Sequence, residues 1–310
     1  MNWREGRPHR VFGVRSRYDD GGRRLLLLLS AIVMSGAAVL GGAGSASAAT
    51  QAKASRTPSS VVLDAIHSVQ QHRTALVNMS ISSAGLPDGS TVGGTGSGQI
   101  DFATGAMKVT FAYAGSAKLQ GLKLSELAVG GHLYIDPSQN GQSVSTLLPG
   151  KEWVASPGNL SGQLSGASSD DPADMLGALA AKGNTVKDLG PSEVGGFATE
   201  EYLVTDNPAE ALARLNQEHM PASVVEGAKA FINAGPFKVD VWVDHSPDGI
   251  RQMAVTLPVP GASDTGATVT VTMAFSALGT PVSIQPPSAS TVATYAQFEQ
   301  AAKAVQSPTT

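Results

Sequence analysis

The alternation of apolar and polar residues divides the chain after residue 58 into one amphipathic helix followed by many strands. Val62, Ile66 and Val69 recur at the spacing of one helix face, and Ser59 or Ser60 can cap its start, which predicts a helix over 59–72. Downstream, apolar positions alternate with polar ones, which is the period of a strand with one solvated face. The strands predicted in this part of the chain lie at 77–82, 107–113, 122–129 and 133–135.

The C-terminal third carries the clearest strand pattern, because the alternation over 237–243, 251–257 and 269–275 predicts a three-stranded meander. Residues 288–310 are predicted to be a loose tail with a short helix around 293–305. The middle of the chain is predicted to contain both helices and strands. The elements predicted for the middle are a Gly/Ser/Asp-rich loop at 156–171, helices at 171–179, 208–215 and 222–232, and strands at 186–189 and 198–204 joined by 191–196. Together these elements predict an α+β fold on one long antiparallel sheet.

The first 48 residues have the three parts of an export signal. Seven arginines and three acidic residues lead, an apolar run covers 25–40, and the small residues Ala46-Ser47-Ala48 form a cleavage site. The apolar run is shorter than the roughly 20 residues that a spanning helix needs, which favours cleavage near Ala48 over a retained anchor. Residues 49–58 are predicted to be a linker. The mature chain is therefore expected to be secreted, either free outside the cell or associated with the cell wall.

Charge and cysteine content narrow the class of protein further. The whole chain carries a net charge of −4 and the signal carries +4, so the mature chain carries −8. An acidic chain gives no electrostatic basis for nucleic-acid binding. The absence of cysteine excludes disulfides and also excludes lipid attachment at a cysteine after the signal. A chain of this length can bury a core large enough to fold without them, and a monomer is expected.

Known catalytic and metal-binding patterns are missing from the sequence. The histidines show no ligand spacing, and the segment Asp244–Gly249 is predicted to be a hairpin turn because it lacks the acidic spacing of a calcium loop. The glycine-rich run 93–98 is predicted to be a flexible hairpin connection, since a phosphate loop needs a helix after it and a strand is predicted here over 99–103. A hydrolase would need His132 or His219 near a serine and an acid. We therefore expect neither an enzyme nor a cofactor or metal.

The positive signal is an apolar face shared by several strands, with methionines on it. Two interpretations stay open: an ordinary core roofed by helices, or an apolar cavity between a curved sheet and its helices. The candidate cavity residues are Ile66, Val69, Met107, Val109, Phe111, Met175, Leu176, Leu179, Val239, Val241, Met253, Val255, Val271 and Met273.

An ordered set of short motifs resembles the actinobacterial LppX/LprG lipoproteins and, more distantly, the LolA-like carriers and the RseB type of regulators. The motifs are Leu148–Val154, Asp171–Leu179, Val186–Thr205, the Val241–Asp244 hairpin with Gly249–Arg251, and Gly279–Ile284 with Pro286-Pro287. The resemblance covers about 60–288. The family carries an acylated cysteine after the signal, and this chain has none.

The resemblance implies a strongly curved antiparallel sheet, a LolA-like half-barrel, with helices packed on its concave face and a cavity for acyl chains. The domain expected from it is a lipid-binding domain over 59–288, followed by a tail over 289–310. The expected function is a non-enzymatic carrier in the cell envelope that binds or transports a lipid or lipidated small molecule. The alternative is an extracytoplasmic sensor that binds a partner protein of the cell envelope in stress signalling.

Overall fold

One sheet of twelve strands organises the described part of the chain. The computed structural model describes residues 56–306, apart from 87–88, 90, 116, 118, 157–182, 210–228, 230–231, 246–247 and 260–265. The helices are α1 (Pro58–Gln71), α2 (Val144–Leu147) and α3 (Tyr295–Gln306). The strands of the first half are β1 (Thr74–Ala84), β2 (Val92–Asp101), β3 (Ala106–Gly115), β4 (Leu122–Val129), β5 (His132–Gln139) and β6 (Trp153–Ala155). Those of the second half are β7 (Thr185–Val194), β8 (Phe197–Thr205), β9 (Lys238–His245), β10 (Asp248–Pro258), β11 (Thr268–Ser276) and β12 (Val292–Thr294).

Two meanders joined by one long-range pair make up eleven strands of the sheet, and β12 adds at the edge beside β6. Its strand order is β12-β6-β5-β4-β3-β2-β1-β11-β10-β9-β8-β7, and every pair is antiparallel except β12 with β6. The predicted meander of the C-terminal third is confirmed as β9, β10 and β11. The described part of the chain is mostly β rather than α+β, because two segments expected as a connection and a tail both supply strands. The sheet is open and not strongly curled, so the expected strongly curved half-barrel is wrong for these strands.

Helix α1 forms where the sequence predicts a helix. The Oγ1 of Thr57 accepts a hydrogen bond from the backbone N–H of Ser60 at 3.3 Å, and proline occupies the first helical position. Val62, Ile66 and Val69 are buried on one side of α1, which packs on β10, β9 and β7. The helix is therefore held by its apolar stripe against one face of the sheet.

The glycine-rich run at 93–98 is a strand, so the predicted flexible connection is wrong. Gly94, Gly96 and Gly98 lie in the middle of β2, which pairs with β1 on one side and with β3 on the other. Backbone hydrogen bonds of a ladder need no side chain, so two complete neighbours can hold a glycine strand in place. The run gives the sheet a strand that has no side chains at three successive positions of one face.

The segment after β11 crosses the face of the sheet opposite α1 and then rejoins the sheet as β12. Val282 and Ile284 pack against Ala106 and Leu127, and β12 pairs in parallel with β6 beyond the far end of the first meander. The Nζ of Lys151 donates to a backbone carbonyl oxygen just before β12 at 2.8 Å. Helix α3 follows and packs against α2, β6 and β12. The predicted short helix is present, but the segment is not a loose tail.

The strand pair predicted in the middle of the chain is present and longer than expected. β7 and β8 pair through a turn at Gly195-Gly196, and Pro191 lies within β7 rather than in the joint, opposite Glu200. Residues 208–209, 229 and 232–234 are helical, near two of the predicted helices. The signal, most of the linker, the loop at 156–171 and the helix at 171–179 lie outside the described residues. Within the described part, no helix is both long and apolar enough to span a membrane.

Candidate ligand-binding face

One face of the sheet, the covered face, carries a continuous apolar surface from β8 to β6. It is the face on which α1 packs, and its side chains belong to a single buried cluster. The strand registers arrange these side chains in rows that run across the strands. The central row, from β9 to β4, consists of Val241, Met253, Met273, Met79, Gly96, Phe111 and Leu124.

Three adjacent methionines form the middle of that row. Met253, Met273 and Met79 lie directly opposite one another on β10, β11 and β1, and each is buried. We call them the methionine row. Methionine side chains are unbranched and polarizable, so a surface made of them can repack around contacts of different shape. The covered face therefore has an adaptable strip at its centre, where the two meanders join.

A trough lies beside the methionine row, because β2 presents only glycine to the covered face at three successive positions. Gly94, Gly96 and Gly98 lie opposite Tyr113, Phe111 and Val109 of β3 respectively. The ring of Phe111 lies so close that a Cβ on Gly96 would be 2.8 Å from its Cδ1. The Phe111 and Tyr113 rings stack with centroids 6.0 Å apart. The glycine trough thus lets two aromatic rings of β3 lean over β2.

Two of the polar groups buried on this apolar face lie on the neighbouring strands β3 and β4. Glu126 of β4, opposite Val109, has no exposed surface, and Tyr113 of β3 is 5 % exposed. Burial raises the pKa of the Tyr113 hydroxyl, and the negative charge of Glu126 raises it further. The Tyr113 hydroxyl stays protonated at any physiological pH. Among the described residues it has no hydrogen-bond partner.

The structure brings together nearly all of the cavity residues predicted from the sequence. Ile66 and Val69 come from α1 and the rest from the sheet, and all belong to the buried cluster of the covered face. These residues are Ile66, Val69, Met107, Val109, Phe111, Val239, Val241, Met253, Val255, Val271 and Met273. Met175, Leu176 and Leu179 lie outside the described residues. Whether the clustered residues bind a ligand stays a prediction.

Sequence reasoning missed the glycine trough and Glu126 as parts of this face, and it missed the buried environment of the Tyr113 hydroxyl. The trough left a signal, because glycine alternates with Thr95, Ser97 and Gln99 at the strand period. The sequence contains no such signal for Glu126, because the next residue, Leu127, is also buried. Leu127 belongs to a smaller cluster on the other face. A strand buried on both faces has no alternation that could assign the carboxylate to one side.

The opposite face of the sheet is polar over its centre. One of its ends carries a small apolar cluster, and the other carries an ion pair and a cation–π contact. At the β4–β6 end, Val282 and Ile284 cover a small apolar cluster. At the other end, Arg251 pairs with Asp244, and its guanidinium lies 4.0 Å from the centroid of the Phe197 ring. An ion pair and a cation–π contact at the surface stabilise a fold modestly and supply no reacting group.

The described residues contain no group of three or more histidine, aspartate or glutamate side chains that could hold a metal ion. Of the two histidines considered for a hydrolase, His132 lies on β5 with its ring 6.2 Å from that of Tyr134. His219 lies outside the described residues. The Asp244–Gly249 segment forms the β9–β10 hairpin, in which His245 pairs with Asp248, and the predicted hairpin is confirmed.

Comparison with known proteins gives structural likenesses alone. No known protein family and no characterised protein matches the sequence. The Mycobacterium tuberculosis lipoprotein LppX is similar over 74% of this chain and 98% of its own, with 16% identity and a TM-score of 0.41. LprF from Mycobacterium bovis is similar over 74% of this chain and 97% of its own, with 13% identity and a TM-score of 0.39. A putative outer membrane lipoprotein-sorting protein domain from Vibrio parahaemolyticus covers 79% of this chain and 100% of its own, with 7% identity and a TM-score of 0.27. These likenesses are to the fold.

Proposed function

We propose that this chain is an exported, non-enzymatic protein that binds the acyl chains of a lipid against the covered face of its sheet. The observation that carries the proposal is the methionine row beside the glycine trough at the centre of a continuous apolar face. The ordered motifs that resemble the LppX/LprG lipoproteins support the same function. The absence of cysteine supports a protein that is released rather than anchored by lipid.

The physical basis of binding is the burial of methylene groups. Each methylene that leaves water contributes about 0.8 kcal/mol, so a long acyl chain can bind without any charged contact. Met79, Met253 and Met273 can adjust their rotamers to chains of different length at little cost. A surface of branched side chains would be stiffer and would accept a narrower range of ligands.

A tryptophan in place of Met79 separates a lipid-accepting face from a densely packed core. In a dense core the larger side chain would lower the free energy of unfolding by about 3 kcal/mol or more. If the face accepts acyl chains, Met79→Trp occupies the ligand's place. We then expect the loss of stability to stay below about 2 kcal/mol and the fraction of protein carrying lipid to fall at least about fivefold. Native mass spectrometry of protein purified from its own host measures the lipid.

The matched control is Ser80→Trp, because Ser80 is the next residue of β1 and lies exposed on the opposite face. This variant should keep the wild-type amount of lipid. Wild-type protein free of lipid would contradict the proposed function. The same preparation tests the alternative predicted from the sequence, since an envelope protein recovered in place of a lipid would support a sensor.

Export is tested by the N-terminus of the secreted protein. We expect N-terminal sequencing to begin at Ala49, because the small residues Ala46-Ser47-Ala48 fit a signal peptidase. Ala48→Leu should block cleavage and retain the protein with the cells, whereas Ala49→Leu, one position past the cleavage site, should be secreted normally. An intact N-terminus on secreted wild-type protein would contradict this expectation.

A further inference from the structure

We propose that the Tyr113 hydroxyl is a specificity-determining hydrogen-bond donor, which binds an uncharged oxygen of the ligand such as an ester carbonyl. This inference rests on the proposed function and deepens it, because it names a polar feature of the lipid. A tyrosine on an apolar face can equally be a core residue whose hydroxyl bonds to the protein. The contacts of Tyr113 decide between these roles.

The position of Tyr113 places its side chain at the glycine trough. On the row next to the methionine row, Ile81 of β1, Gly94 of β2 and Tyr113 of β3 lie opposite one another. A Cβ on Gly94 would be 3.4 Å from the Cδ1 of Tyr113, so the ring lies against the glycine backbone. Any group that contacts the trough at Gly94 therefore also meets the Tyr113 side chain.

The hydroxyl of Tyr113 is an unused donor. It is buried, and no hydrogen-bond partner for it exists in the part of the chain that the structure describes. A buried donor without a partner destabilises a protein, so such groups are rare in cores unless they serve another purpose. A ligand oxygen at this position would supply the missing acceptor.

The charge near Tyr113 determines which kind of ligand oxygen its hydroxyl can bind. Glu126 lies on the same face, fully buried, and its negative charge adds to burial in raising the pKa of the Tyr113 hydroxyl, the direction that disfavours a second negative charge there. A carboxylate or phosphate brought to the hydroxyl would meet the same repulsion and would lose its hydration as well. An ester, which accepts a hydrogen bond without a charge, avoids both costs.

Three probes of equal chain length test the inference by fluorescence titration: a pyrene-labelled fatty acid methyl ester, the corresponding free acid, and the pyrene-labelled alkane without oxygen. Wild-type protein should bind the ester most tightly. Tyr113→Phe should weaken binding of the ester by about fivefold, which is the value of one neutral hydrogen bond, and leave the affinity for the alkane unchanged. Without ligand, Tyr113→Phe should raise the Tm by about 2 °C or more, since it removes an unsatisfied buried hydroxyl.

Tyr202→Phe is the control, because Tyr202 is equally buried on the same face but lies on β8, six strands away from β3. It should leave the ratio of ester to alkane affinity unchanged. A fall of the Tm in Tyr113→Phe, or an unchanged ester affinity in a protein that binds the alkane, would overturn the role of Tyr113 alone. If wild-type protein bound none of the three probes, the proposed function itself would fail.

Discussion

Replacing Gly98 with alanine is expected to lower the free energy of unfolding by about 3 kcal/mol. The added Cβ would lie 2.2 Å from the carbonyl oxygen of Lys108 and 2.7 Å from the Cγ2 of Val109. The nearer atom is backbone of β3, which is itself paired with β4, so the clash cannot be relieved by turning one side chain. Urea denaturation of the secreted protein, followed by circular dichroism, measures the effect.

Gly93→Ala is the matched control for this substitution. Gly93 belongs to the same strand but faces the other way, and a Cβ there would have its nearest neighbour at an ordinary 3.6 Å. Its effect should stay within about 0.5 kcal/mol of wild type, because alanine also restricts the unfolded chain. Equal effects at the two positions would show that the glycine trough is not a site of close approach.

Replacing Phe111 with alanine should have the largest effect, a loss of about 4 kcal/mol in the free energy of unfolding. The Phe111 side chain has no exposed surface and fills the trough above Gly96. Its removal gives up the burial of a whole ring and leaves a cavity that the glycine backbone of β2 cannot fill. The same urea titration measures it. Phe197→Ala is the control, since Phe197 is 51 % exposed and should cost less than about 1 kcal/mol.

A double-mutant cycle shows whether the ring and the glycine form one packing unit. A Cβ on Gly96 would lie 2.8 Å and 3.0 Å from two atoms of the Phe111 ring and 2.9 Å from the carbonyl oxygen of Thr110. The contact with Thr110 is the same in both backgrounds, so it cancels in the cycle. Gly96→Ala should therefore cost at least about 1 kcal/mol less in the Phe111→Ala background than in wild type. Additive losses would contradict the packing described for the trough.

Much of the fold could be predicted from the sequence where one face of an element is apolar and the other is solvated. The helix at 59–72 and the meander of β9, β10 and β11 were predicted within a few residues of their observed bounds. In both, the apolar residues recur at the period of the element, because one side of the element is buried and the other is solvated. The same alternation identified most of the side chains on the covered face, including Met253 and Met273.

The remaining parts could not be predicted because their signals depend on neighbours distant in the chain. Glycine at 94, 96 and 98 favours flexibility in isolation, and only pairing with β1 and β3 makes the run a strand. The parallel pairing of β12 with β6 is equally invisible to a local pattern, so the C-terminal segment resembled a tail. Tyr113 fitted the strand alternation, but the environment of its hydroxyl is a property of the assembled face.

The pair of β1 and β11 bears on how this sheet assembles. Within each meander, a strand pairs with the strand that follows it in the chain. Pairing of β1 with β11 instead requires residue 79 to meet residue 273. Loop closure over such a distance is slow compared with local pairing. Until it is made, β1 and β11 each present an unpaired edge, to which a strand from a second molecule can add. The methionines on those two strands meet only when this pair has formed, so the adaptable strip does not exist in either meander alone.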